Sequence, residues 1–172
     1  QHIGELKTNV VAELYGAATA GASVLTPIAA DATDTRNDAV GEVLRSSQLV
    51  VDASAALDYP RLASGEGGFA RHVSVFITPN GNDAVLLAED AGRGIRLRSL
   101  EAQYYRAVIR GTWGEHHLDG NLGKYWSGAS CRDISVALPY SRVTTHAATL
   151  SEQVMAVSQC DEAQMRVWQR DP

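Results

Sequence analysis

The chain of 172 residues is 45% hydrophobic and 20% charged, a composition typical of one soluble globular domain with a sizeable core. A net charge of −5 without any basic block argues against nucleic acid or a membrane surface as partner, and no apolar run reaches the length of a membrane helix. The two cysteines, Cys131 and Cys160, lie far apart and form no CxxC pair, so we expect no disulfide framework, no structural zinc and a cytoplasmic location.

The first third of the chain alternates predicted helices with a predicted strand. Apolar residues at helical spacing predict an amphipathic helix over residues 4–19, and residues 23–29 form a short strand candidate that Pro27 weakens. A second, short helix is predicted within residues 31–47. Its candidate N-cap residues are Asp34, Thr35 and Asn37.

The middle of the chain predicts a strand, a helix and a hairpin. The apolar run LVVD, which ends at Asp52, is continuous rather than alternating, a pattern typical of a strand covered on both faces. Residues 54–63 are predicted to be helical, with a break near Pro60. Two further strands, 71–78 and 83–88, flank the turn signal PNGN and predict an antiparallel β-hairpin.

The last third predicts two helices and a terminal strand around a long loop. The helices are expected over 97–109 and 141–159, and the strand over 163–168. The stretch 111–131 is rich in glycine and has no periodicity, which predicts a long loop of the kind that is usually functional or mobile. Together these elements predict an α/β fold in a single domain over 1–172: a mixed sheet, parallel in its first part and antiparallel later, with helices on both faces.

Asp52 raises the first functional question, because it ends a buried strand and is followed by small residues. At the carboxyl end of a parallel strand an acid faces the crevice where α/β sheets bind ligands, and it can hold a metal–phosphate group or a ribose hydroxyl. The alternative is structural: Asp52 caps a helix beginning near Ser54. Local sequence leaves the two interpretations balanced.

Lys7 and Cys131 are further candidates. A lysine in the first turn of a helix, as in Gly4-x-x-Lys7, can reach phosphates gathered at the helix N-terminus; the alternative is a solvated surface lysine. Cys131 closes the glycine-rich loop, and the neighbouring cation Arg132 would favour the thiolate that nucleophilic chemistry needs. The alternative for Cys131 is a small buried filler.

Other chemical motifs carry less weight. His116 and His117 lack the spacing of a helical zinc site, and a hydrolase arrangement of Cys131, His117 and Asp119 rests on order in the sequence alone. The glycines of GEGG, residues 65–68, precede a strand and do not form a phosphate loop. Cys160 receives no role, and the two remaining internal histidines are expected to pack within a strand and a helix. They are His72 and His146.

Five segments taken in order resemble a ThiF-type adenylating domain, and more closely the E1-like activating proteins of bacterial ubiquitin-like systems. They are HIGELKTNVVAEL, LVVDASA, SCRD, SRVTTHAATL and RVW. The resemblance spans nearly the whole chain and implies a Rossmann-like sheet. It also implies that Lys7 contacts ATP phosphates, that Asp52 acts through magnesium, and that Cys131, beside Arg132, accepts the activated carboxylate.

The chain departs from this family in one important respect. The family's phosphate-binding GxGxxG loop and its strand precede the Gly-x-x-Lys helix, which here stands at the start of the sequence. We therefore expect the sequence to correspond to the C-terminal two thirds of such a domain, with the glycine loop upstream of Gln1. The zinc-binding CxxC pairs of many relatives are missing as well.

The leading hypothesis is an activating enzyme that uses ATP and Mg²⁺. It would adenylate the C-terminal carboxylate of a small ubiquitin-like or sulfur-carrier protein, with a thioester on Cys131 and transfer to an E2-like acceptor as further steps. The resemblance also implies a homodimer. The alternatives are a non-catalytic E1-like scaffold, suggested by the missing glycine loop, and an NAD(P)-dependent oxidoreductase, which would also use an acid at a strand end.

Overall fold

A computed structural model describes residues 6–19, 25–54, 56–111, 113–118, 124–126, 134–136 and 138–170, with 124–126 and 134–136 as backbone. It divides into two compact units, Gln1–Ser46 and Ser47–Pro172. No helix in these described ranges is long and apolar enough to span a lipid bilayer.

The first unit contains two helices, α1 (Lys7–Thr19) and α2 (Asp38–Ser46). Both helices were predicted, and the structure selects Asn37 as the N-cap of α2, because its side-chain oxygen accepts the backbone N–H of Ala39 at 3.1 Å. The strand predicted over 23–29 is wrong for residues 25–29, which are neither strand nor helix. Pro27 offers no backbone donor to a neighbouring strand, so the short apolar run around it does not pair.

The second unit holds the sheet and the remaining helices. In chain order its elements are β1 (Val50–Asp52), α3 (Asp58–Gly65), β2 (His72–Ile77), β3 (Asp83–Ala88), α4 (Leu97–Ile109), β4 (Lys124–Trp126), β5 (Ile134–Val136), α5 (Tyr140–Ser158) and β6 (Gln164–Gln169).

Four strands form the main sheet, and their arrangement confirms the predicted α/β fold with a mixed sheet. Their order is β1-β2-β3-β6, with β1 parallel to β2 and the other two pairings antiparallel. The parallel pair places Asp52 opposite Ser74, which sets the end of β1 beside the middle of β2.

Helices cover both faces of this sheet, as predicted. On one face, Leu150 and Val157 of α5 pack against alternate residues of β2 and β3, including Val73 and Leu86. On the other face, α4 packs Leu100 and its neighbours against the intervening β3 residues. Each large side chain buried in this way contributes about 1.5–3 kcal/mol to stability, and together they fix α4 over the site described below.

The β2–β3 hairpin is confirmed, and glycine is required in its turn. Gly81 has φ +71°, a left-handed conformation that favours glycine. A Cβ atom at this position would also lie 2.6 Å from the Leu138 side chain. Thr78 closes the loop, since its hydroxyl accepts the Asp83 backbone N–H at 3.1 Å.

Three local predictions need correction. The helix after β1 begins at Asp58 instead of 54, and Pro60 lies in its first turn, where the missing N–H has no intrahelical acceptor, so the proline does not break it. Val51 is 44% exposed, so β1 is not covered on both faces. Finally, the loop predicted over 111–131 contains β4, which pairs with β5 in a separate antiparallel sheet.

Candidate functional site

Asp52 lies at the carboxyl end of β1 with only 5% of its surface exposed. One carboxylate oxygen, Oδ1, accepts the backbone N–H of Ser54 at 3.0 Å and its hydroxyl at 2.7 Å. The other, Oδ2, accepts the Ser74 hydroxyl at 3.2 Å. Asp52 is thus fixed by a local turn and by β2, and since α3 begins only at Asp58, it does not cap that helix.

The described residues provide Asp52 with no cationic partner. None of their ion pairs includes this carboxylate. Buried carboxylates are normally paired with a cation or bound to a metal, because burial of an uncompensated charge is costly. Within the described ranges Asp52 belongs to no group of three or more histidine, cysteine, aspartate or glutamate side chains that could hold a metal ion.

A cavity of about 460 Å³ adjoins Asp52 through Ser74. It opens beyond the carboxyl ends of the two parallel strands, between the segment after β1 (Ala56, Leu57), the end of β2 (Phe76) and α4. This is where α/β sheets bind ligands, and the volume lies within the usual range for small-molecule sites. Its described walls are mostly apolar and aromatic.

In the lining of this cavity a histidine is hydrogen-bonded to a tyrosine. The His117 side chain is 1% exposed, and its Nδ1 lies 2.9 Å from the Tyr104 hydroxyl. Its Nε2 finds no hydrogen-bond partner among the described residues and lies 3.5 Å from an Asp83 carboxylate oxygen. Burial lowers the pKa of His117 and raises that of Tyr104, so both are neutral near pH 7.

The hydrogen on His117 can be assigned from its surroundings. The nearby Asp83 carboxylate can only accept, which favours the tautomer with the hydrogen on Nε2. Nδ1 is then an acceptor, and the Tyr104 hydroxyl donates its proton to it.

A second buried polar cluster contacts the cavity wall through the Leu97 backbone. Glu89 is fully buried and accepts hydrogen bonds from the backbone N–H of His72, the guanidinium of Arg93 and the backbone N–H of Leu97. Arg93 in turn donates to three backbone carbonyls, those of Ala63, Glu66 and Phe69. These contacts join β2, α3 and the start of α4, so we assign the cluster a structural role.

His72 lies in the same cluster as a neutral ring. Its Nδ1 donates to the Ala70 carbonyl at 2.7 Å, so its Nε2 must accept, and it accepts the Tyr59 hydroxyl at 2.8 Å. Burial lowers the pKa of His72, and burial raises the pKa of Tyr59 to about 12.

The two buried histidines predict that stability falls in mild acid. Because the folded-state pKa of His72 and His117 lies below the ordinary 6.5, the unfolded chain binds more protons in the window between those values. The free energy of unfolding should therefore decrease as pH falls from 7.5 through 6.5, by at most about 1.4 kcal/mol per pH unit for each histidine. Urea unfolding at pH 7.5, 6.5 and 5.5 measures this, and a stability that rises on acidification over that range would contradict it.

Of the other predicted site residues, the structure describes some and not others. Lys7 begins α1 in the first unit with an exposed side chain, while Asp52 lies in the second unit, so their joint action on a nucleotide stays a prediction. Three predicted site residues lie outside the described part of the chain: Asp119, Cys131 and Arg132. The Cys131 thiolate and the arrangement of Cys131, His117 and Asp119 therefore stay predictions.

The residues given no chemical role occupy packing positions. His72 lies in β2 and His146 in α5, as predicted, and His146 donates from Nε2 to the Gly81 carbonyl at 3.2 Å. Cys160 follows α5, and its sulfur accepts from the Gln164 amide at 2.9 Å.

Three residues of the site were missed by sequence reasoning. Glu89 follows the apolar strand β3 directly, the same signal that singled out Asp52, and could have been found in this way. Tyr104 and Ser74 had no such signal, because each occupies an ordinary position on a helix face or a strand.

Comparisons with known proteins provide no relative: no protein-family model, no curated protein and no solved structure matches this chain.

Proposed function

We propose that this chain contributes the magnesium-binding acid of an ATP site in an E1-like adenylating domain. The observation that supports the proposal is Asp52, a buried carboxylate without a described cationic partner at the carboxyl end of β1. Magnesium in nucleotide sites is typically held by one or two carboxylates together with substrate phosphates, so a single fixed carboxylate fits this group.

The residues around Asp52 would orient its carboxylate for this task. Ser54 holds Oδ1 through two hydrogen bonds, which leaves Oδ2, bonded to one rotatable hydroxyl, as the oxygen with room for a further ligand. Bound Mg²⁺ would offset the negative charge of the phosphates during transfer.

The reaction proposed is adenylation of the C-terminal carboxylate of a small ubiquitin-like or sulfur-carrier protein. A carboxylate oxygen of the carrier would attack the α-phosphorus of ATP, form an acyl adenylate and release pyrophosphate. Lys7 is proposed to contact the phosphates. Cys131, with Arg132 favouring its thiolate, would capture the acyl group as a thioester and release AMP, before transfer to an E2-like acceptor. The same proposal includes that the protein forms a homodimer and acts in the cytoplasm.

Calorimetric titration with ATP, with and without Mg²⁺, tests the site directly. We expect binding that requires Mg²⁺ and becomes at least roughly tenfold weaker in Asp52→Asn, because the variant loses one charged ligand. Asp58→Asn is the matched control, since Asp58 is an exposed carboxylate six positions further along. Equal affinity in wild type and Asp52→Asn would refute the role of Asp52.

The activity itself is tested by ATP–pyrophosphate exchange with the full-length protein in the presence of a candidate carrier protein. Exchange that is as fast in Asp52→Ala as in wild type would contradict the proposal.

A second candidate is a non-catalytic interaction domain of the same type. It is favoured by the described lining of the cavity, which includes no lysine or arginine to hold phosphate. Failure of the wild-type chain to bind Mg–ATP would support this candidate, and a parallel titration with NAD would test the oxidoreductase alternative.

A further inference from the structure

Three of the four hydroxyl groups in the described lining of the cavity donate their protons inside the protein, and Tyr105 carries the fourth. The Ser74 hydroxyl donates to Asp52 Oδ2 at 3.2 Å, and the Thr78 hydroxyl to Asn80 Oδ1 at 2.6 Å. The Tyr104 hydroxyl donates to His117 Nδ1 at 2.9 Å. A hydroxyl has one proton and two lone pairs, so each group has only acceptor capacity left for a ligand.

The charges at the cavity favour a neutral ligand. The one carboxylate in its described lining, Glu101, forms a bidentate pair with Arg61. No lysine or arginine occurs among these lining residues, and burial keeps His117 neutral near pH 7. An anion would find no counter-charge there, and a cation would have to compete with Arg61 for Glu101.

The walls favour a flat, apolar body. Phe76, Tyr104 and Tyr105 provide aromatic surface, and Leu87 and Leu97 provide aliphatic surface. The volume of about 460 Å³ accommodates a bicyclic molecule.

We propose that this cavity binds a neutral aromatic molecule that carries an N–H group. This N–H donates a hydrogen bond to the hydroxyl oxygen of Tyr104 or Ser74 in the cavity wall. This ligand goes beyond the proposed adenylation, since it carries no phosphate, although Ser74 contacts both the cavity and Asp52.

The test compares two probes that differ only in the donor. The 13C-methyl resonances of Leu87 and Ile77, both in the cavity wall, are followed by NMR during titration with indole and with 1-methylindole. We expect indole to bind roughly fivefold more tightly, because only indole can donate to the wall and a net hydrogen bond contributes about 1 kcal/mol. Indole-3-carboxylate, an anion of similar shape, should bind more weakly than indole.

Two variants and a matched control locate the acceptor. Tyr104→Phe and Ser74→Ala each remove one hydroxyl from the wall, and at least one of them should abolish the preference for indole over 1-methylindole. Tyr59→Phe is the control, because Tyr59 makes the same buried bond to a histidine at 2.8 Å but does not line the cavity. It should retain the preference.

Each other outcome would overturn the proposal. Equal affinity for indole and 1-methylindole would show that no acceptor acts, and tighter binding of the carboxylate would show an anion site. A preference that survives both wall variants, or probes that leave the Leu87 and Ile77 methyl resonances unchanged, would place the ligand elsewhere.

Discussion

Replacing Glu89 with alanine should lower the free energy of unfolding by about 3–5 kcal/mol, the largest loss expected from a single polar side chain in the second unit. The fully buried carboxylate accepts three hydrogen bonds, from Arg93 and from two backbone N–H groups. The truncation therefore leaves a guanidinium, itself 8% exposed, without its counter-charge and two donors without an acceptor. Urea unfolding followed by circular dichroism measures the change.

The control for this prediction is Glu101→Ala, which also removes a carboxylate from an arginine pair. The Arg61 side chain in that pair is 51% exposed, so water can solvate it after truncation, and we expect a much smaller loss. Equal losses in Glu89→Ala and Glu101→Ala would show that the buried cluster does not act as described.

Replacing Gly114 with alanine should cost about 2–5 kcal/mol and displace His117 from the cavity wall. Gly114 has φ +69°, a conformation that costs an L-residue roughly 1–2 kcal/mol. A Cβ atom there would also lie 2.9 Å from three ring atoms of His117, which adds an overpacking cost of about 1–3 kcal/mol. The ring cannot simply retreat, because Tyr104 and Trp113 pack against it.

The control variant Gly111→Ala separates the cost of the backbone conformation from the cost of overpacking. Gly111 has a similar φ of +62°, but no atom of the described residues lies within 4 Å of an added Cβ atom, so only the backbone cost applies. Urea unfolding of both variants gives the difference, and the ring 15N resonances of His117 report its displacement, with those of His72 as an internal reference. Equal stability losses at the two glycines would contradict the predicted clash.

The sequence predicted the sheet well because its strands carry strong local signals. The hairpin followed from two apolar runs around PNGN, where Gly81 supplies the positive φ that the turn requires. Helix α4 was predicted with its observed ends, since Leu97, Leu100, Tyr104 and Val108 repeat at helical spacing and all four are buried.

Local signals failed where pairing or context decides the structure. Strand β4 has only three residues, which pair with residues eight to twelve positions further along, and such a short segment shows no periodicity. Residues 23–29 have a strand-like composition, but composition does not supply a partner strand. Pro60 is a helix breaker in isolation, yet it is tolerated in the first turn of α3, and the sequence did not reveal where that helix begins.

The candidate site was predictable only in part. Asp52 was identified from its position after an apolar run, and its burial is consistent with that interpretation. Its contact with Ser74 depends on the parallel register between β1 and β2, which no sequence pattern specifies. The bond between Tyr104 and His117 joins a helix to a loop through tertiary packing, so His117 was first considered for metal binding or hydrolysis.

The position of β3 between β2 and β6 has a consequence for synthesis on the ribosome. All six residues of β3 are buried, and one of its two edges is paired only by β6, which begins 76 positions after β3 ends at Ala88. While those intervening residues are being translated, an apolar strand edge stays open and can pair with a strand of another nascent chain. The emerging polypeptide therefore passes through an aggregation-prone stage, which ends only when Gln164–Gln169 leaves the exit tunnel and closes the sheet.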